Sequence, residues 1–128
     1  QRRQEAMWQA HNEDIERRRG LYAEAEKVSL ELLNSLINEN EKKDLEKGSL
    51  VIENVLGKFV IPTTRHGLIE RYVDGKYEAS YCVVYKDYSI PYGDEIAMKY
   101  ILLKTDLQRF MSIANRMVVK PYLSRRVQ

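Results

Sequence analysis

The stretch LIERYVDGKYEASYCVVYK, residues 68–86, decides the fold. Asp74-Gly75 at its centre suits a two-residue hairpin turn, because both turn positions need a positive φ that Gly adopts freely and Asp tolerates. β-Branched and aromatic residues flank it on both sides, as half-buried strands require. The reading is a hairpin of Leu68–Val73 with Lys76–Lys86. Counting outward from the turn sets Val73 against Lys76, Tyr72 against Tyr77, Arg71 against Glu78 and Leu68 against Tyr81. Tyr72, Tyr77, Ala79 and Tyr81 then share one face, with Ile69, Val73 and Cys82 on the other.

On the N-terminal side, Ser49–Val55 and Lys58–Ile61 read as two more strands that turn at Leu56-Gly57. Pro62 closes that ladder or keeps to an edge, having no N–H to donate. On the C-terminal side, a helix is expected from Asp94, a good N-cap. Ile96, Tyr100, Leu103, Leu107, Phe110, Ala114 and Met117 follow at spacings of four and three, a stripe suited to covering the sheet. Thr105-Asp106-Leu107-Gln108 matches a capping box, which leaves two readings open, one helix or two divided near Lys104. Pro121 ends it, and Ser124-Arg125-Arg126 reads as a frayed tail.

Residues 1–48 contain no proline and are rich in helix formers. Trp8, Ile15 and Tyr22 recur at intervals of seven, and Leu21, Ala25, Val28, Leu32 and Leu36 continue a helical stripe. Gly20 costs about 1 kcal/mol relative to Ala in a helix, which points to a kink or a turn near Arg19-Gly20. A second break is expected at Asn38-Glu39-Asn40, and Gly48 is a natural stop. The fold class is therefore α+β. A helical arm of one or two helices, residues 1–48, precedes a compact unit, residues 49–128, in which a small antiparallel β-meander packs against a C-terminal helix.

The 128 residues are enough for one domain with an extension, and 44% hydrophobic with 31% charged residues is an ordinary globular composition. No apolar run approaches the ~18–20 residues that cross a bilayer, so no membrane role is expected. The single Cys82 cannot form an intramolecular disulfide and favours the cytoplasm or another reducing compartment. Gln1 stands where an initiator Met would, and that Met is removed only before small residues, so the chain is expected to be a fragment or a processed product. No apolar segment near the start resembles a secretory signal.

The formal net charge is +2, with nine basic and eleven acidic residues in 1–48 against twelve and eight in 49–128. That balance falls short of the field of a dedicated nucleic-acid binder. Cys82 with His66 is a poor nucleophile and base, because a mid-strand thiol without a basic neighbour is usually inert. His11, His66 and Cys82 do not have a metal-ligand spacing. The glycines are isolated, so no phosphate loop is formed. No enzymatic activity, cofactor, metal or small-molecule substrate is expected.

Seven of nine tyrosines lie between Tyr72 and Tyr100, which reads as a half-buried sheet rather than an aromatic platform for bases. The helical arm carries the functional expectation. Residues 1–19 hold too little apolar surface to order themselves without a partner, and a lone tryptophan there suits an interface anchor. The expected role is a non-enzymatic assembly or adaptor subunit that docks to a protein partner or to itself through Trp8, Ile15, Leu21, Tyr22, Val28 and Leu32. The alternative is a small nucleic-acid-associated protein using Arg17, Arg18, Arg19, Arg65, Lys86, Tyr88, Arg125 and Arg126. Size and lack of chemistry would also fit an accessory protein of a virus or mobile element.

Overall fold

The computed structural model describes residues 2–64, 67–84 and 90–119. Its core is an antiparallel meander of five strands in chain order: β1 (Ser49–Asn54), β2 (Gly57–Pro62), β3 (Ile69–Val73), β4 (Lys76–Cys82) and β5 (Asn115–Met117). Helix α1 (Arg2–Leu36) and the short α2 (Glu39–Glu46) precede the sheet, while α3 (Tyr92–Thr105) and α4 (Leu107–Ile113) lie between β4 and β5. The class is α+β, with the helices on one face of the sheet. Leu50, Ile52, Phe59, Ile61, Ile69, Ala79 and Tyr81 line that face and pack with Ile96, Leu103 and Phe110, with Leu33 of α1 and with Ile37 just beyond its end. Phe59 and Phe110 meet edge to face with ring centroids 5.8 Å apart.

The central hairpin forms as read, with φ of 52° at Asp74 and 77° at Gly75. Val73 faces Lys76 and Tyr72 faces Tyr77, but the register then slips, so Arg71 faces Ala79 and Ile69 faces Tyr81. This bulge corrects the face assignment. Tyr72 and Tyr77 stand with Val60 and Val51 on the face away from the helices, whereas Tyr81 and Ala79 enter the main core. An extra residue in one strand reverses the alternation beyond it. Glu78 is that extra residue, and its carboxylate explains why the bulge persists. It accepts from Arg116 at 2.9 and 2.6 Å and from the Tyr81 hydroxyl at 3.1 Å, and lies 3.5 Å from Arg71.

Other boundaries also differ from expectation, and β4 stops at Cys82, short of Lys86. The first hairpin turns at Val55-Leu56, so Gly57 opens β2. Helix α3 begins at Tyr92 rather than after Asp94, and its N-cap residue Pro91 provides no side-chain bond. Met117, expected on the C-terminal helix, belongs to β5, which pairs with Ser80–Cys82. Of the two readings of that helix, the divided one holds, with Asp106 rather than Thr105 accepting from the Arg109 amide. The readings at Pro121 and Ser124–Arg126 lie outside the described residues.

No break occurs at Gly20; α1 runs straight through it. A loss of about 1 kcal/mol is too small to interrupt a ladder that continues for several turns on either side. The break between the first two helices does fall where expected. Asn38 caps α2 in a reciprocal capping box, its Oδ1 accepting from the Glu41 amide at 2.8 Å while the Glu41 carboxylate accepts from the Asn38 amide at 3.0 Å. Gly48, at φ 108°, ends α2 and turns the chain into β1.

Candidate functional site

Helix α1 divides into a fastened end and a projecting one. Only Ser29 and Leu33 are buried along its whole length. On a 3.6-residue repeat these two share a side with Glu26, and that side meets α3. The crossing is close because Gly93 has no side chain; a Cβ there would sit 2.5 Å from the Ser29 carbonyl carbon and 2.6 Å from its oxygen. Glu26 completes the attachment. Both its carboxylate oxygens accept from the Tyr92 amide, at 3.1 and 2.9 Å. An acidic side chain from α1 thus caps the N-terminus of α3, where unsatisfied amides and the helix dipole favour negative charge. Burial, together with the charges of Glu95 and Glu26, pushes the Tyr92 phenol above its ordinary value against an opposing hydrogen bond with Thr63.

A second attachment ties α2 to α3. The Tyr100 hydroxyl donates to Glu41 at 2.9 Å, and Lys104 lies 3.2 Å from the other Glu41 oxygen and over the Tyr100 ring. Burial raises the Glu41 carboxyl, but the Asn38 amide, the Tyr100 hydroxyl and Lys104 outweigh it, and the group lies below its ordinary value. Tyr100 moves the other way, to about 12, through burial and the adjacent carboxylate. Within α3 the side chains of Glu95 and Lys99 are 2% and 3% exposed and 3.2 Å apart. Lys99 also donates to the Gly67 carbonyl at 3.1 Å. These clusters fasten elements to one another. Among the described residues, no group of three His, Cys, Asp or Glu side chains is placed to hold a metal ion. No helix among them is long and apolar enough to cross a membrane.

Beyond the crossing, the structure leaves the side chains singled out in the arm at the surface. Trp8, Leu21, Tyr22, Val28 and Leu32 are each between 51% and 66% exposed, and Ile15 is half-buried. Leu21, Ala25, Val28 and Leu32 occupy the flank adjoining the Glu26–Ser29–Leu33 side, so α3 covers one flank of the apolar stripe and leaves the other open. The basic cluster is partly occupied within the helix: Asp14 holds Arg17 at 2.7 Å and Arg18 at 2.9 Å, while Arg19 is exposed. Arg65, Lys86, Tyr88, Arg125 and Arg126 lie outside the described residues.

Sequence reasoning missed Glu26, Ser29 and Gly93. One signal was present: Ser29 continues the Trp8–Ile15–Tyr22 interval of seven with a small residue, as a close helix crossing needs. No family model, curated protein or solved structure matches the chain.

Proposed function

We propose that this chain is a non-enzymatic assembly or adaptor subunit whose α1 is a rigid docking arm. One observation carries the reading: Arg2–Ala25 is regular helix with Met7, Trp8, Leu21 and Tyr22 exposed along it. At ~1.5 Å per residue that projection is about 36 Å long, roughly the diameter of a small domain. An unsupported helix gains little from its own hydrogen bonds, and tertiary packing normally provides its stability. Fully burying a side chain of the Leu or Trp class contributes about 1.5–3 kcal/mol. Covering these half-exposed residues would contribute several kcal/mol to a complex, set against the cost of association.

Trp8, the sole tryptophan, is a built-in reporter. The test compares the unaltered chain with Val28→Asp/Leu32→Asp, both at exposed positions. In extracts of the source organism or at high protein concentration, docking moves Trp8 emission to shorter wavelength and gives a stoichiometric complex that the double variant loses. If hydrodynamic size, emission and copurifying species are the same for both proteins, the docking role is wrong.

A further inference from the structure

The sheet has a second face, opposite the helices. Alternation along the strands points Val51, Val60, Glu70, Tyr72, Tyr77 and Ser80 toward it. Its centre is nonetheless closed to solvent: Val60 is 0% exposed, Ser80 1%, Glu70 4% and Tyr72 5%. Among the described residues, the apolar side chains packed against Val60 and Tyr72 are Val51 and Tyr77, which belong to the same face. A sheet buries the centre of a face beneath a second layer. We infer that this face is the docking site of the chain's own segment Lys120–Arg126.

Connectivity selects that segment. Strand β5 runs antiparallel to β4 with Met117 opposite Ser80, so the chain beyond it heads toward Tyr77 and the Asp74-Gly75 end of the sheet. Val119 has already reached this face, its amide donating to the Tyr77 hydroxyl at 3.2 Å. That hydroxyl lies 2.7 Å from the Ser80 hydroxyl, nearer the middle of the face. The other stretches outside the described residues, 65–66 and 85–89, connect from β2 and β4 at the opposite end of the sheet.

Length and composition agree. At ~3.3 Å per residue, Lys120–Arg126 can span about 23 Å, whereas β4 to β1 is three strand spacings, about 14 Å. Pro121, Tyr122 and Leu123 supply an apolar centre for Val60 and Tyr72. Lys120, Arg125 and Arg126 flank it with no acidic residue among them, and the face carries Glu70 at its centre and Glu53 near its edge. Glu70 accepts from the Tyr72 hydroxyl at 3.0 Å, and a buried carboxylate gains from a cation nearby.

The inference does not depend on the docking role of α1. In a Cys82→Ser background, Lys58→Cys, opposite Tyr72 on this face, is combined with Leu123→Cys and oxidised in dilute solution. Ring closure within one molecule should run about tenfold faster than for Leu123→Cys with Ile101→Cys, whose second thiol is exposed on α3 across the sheet. Trypsin gives a second readout in the unaltered chain. Cleavage after Arg125 and Arg126 should be about tenfold slower than in a free peptide of residues 120–128, and Tyr122→Ser/Leu123→Ser should abolish that protection. Equal rates of ring closure, disulfides that form only between molecules, or cleavage as fast as in the peptide would each overturn the inference.

Discussion

Gly93→Ala tests the physical basis of the arm's attachment. Gly93 lies near the start of α3, has no positive φ, and is a position where Ala alone would favour helix by up to about 1 kcal/mol. Against that gain stands Ser29: the new methyl would lie 2.5 Å from its carbonyl carbon and 2.6 Å from both its oxygens. Two of the three contacts are backbone, so no rotamer change relieves them. Since carbon atoms rest at about 3.5–4.0 Å, α1 must withdraw by roughly 1 Å. Withdrawal loosens the packing of Leu33 and lengthens the Glu26–Tyr92 bonds. Overpacking costs about 1–3 kcal/mol, and losing a hydrogen bond to a charged group about 1.5–3 kcal/mol. After the helix-propensity gain, a net loss of about 2–4 kcal/mol is expected. Denaturant unfolding followed by circular dichroism measures it, and hydrogen exchange of the amides of Glu26–Leu36 locates it. Combined with Glu26→Gln, the loss should be less than additive, because both changes undo one contact. Stability within about 0.5 kcal/mol of the unaltered chain, with exchange in Glu26–Leu36 unchanged, would refute the close crossing.

Gly20→Ala makes the opposite prediction. Nothing lies within 4 Å of a Cβ at that position, so the substitution should stabilise the arm by about 0.5–1 kcal/mol, read as raised helicity and slower exchange around residue 20. Lys99→Met removes the ammonium 3.2 Å from the buried Glu95 carboxylate and should destabilise the fold in denaturant unfolding, with part of the loss recovered by adding Glu95→Met. Glu41 and Glu78 both titrate below their ordinary value in the folded chain, so their contribution is complete above the unfolded carboxylate pKa and is lost as pH falls through the folded one. Unfolding midpoints should therefore drop below about pH 4.5, and Glu41→Gln with Glu78→Gln should flatten that fall while lowering stability at neutral pH. Tyr100 has the reverse sign: raised to about 12, it favours the folded state fully below its unfolded value near 10 and loses that contribution between the two. Tyr100→Phe should remove the corresponding part of the alkaline transition, followed by absorbance of tyrosinate.

What the sequence made legible was local. Asp74-Gly75 fixes its turn through the φ values of two residues, and Asn38 with Glu41 caps α2 across three residues of chain; both need only their neighbours. The bulge at Glu78 was hidden because the ladder was counted from the turn as though pairing were unbroken. The anchor that holds it, Arg116, arrives from 38 residues away. The start of α3 failed similarly. Asp94 has the chemistry of an N-cap, but the carboxylate that caps the helix is Glu26, 66 residues earlier in the chain. Strand β5 escaped because Met117 continues the helical spacing, and three residues carry too little pattern to overrule it. The apolar stripe of α1 was visible, but its spacing alone cannot show which flank the compact unit will cover.

That division bears on how the arm works. A flexible tether could present Trp8 and Leu21 to a partner with no attachment beyond the peptide bond. Instead, α1 is held by a glycine crossing that tolerates no methyl group and by a carboxylate spent on the first amide of α3. With Gly20 inside the continuous helix, those contacts set the direction of the whole projection, because a helix passes orientation along its length where a loop would lose it. Under the proposed docking role, a partner would meet the arm and the compact unit in one fixed relation, with less ordering entropy left to lose on binding. The position of the lock supports this reading: it sits immediately beside Ala25, Val28 and Leu32, the fastened side holding the helix while the neighbouring flank stays open along the same turns.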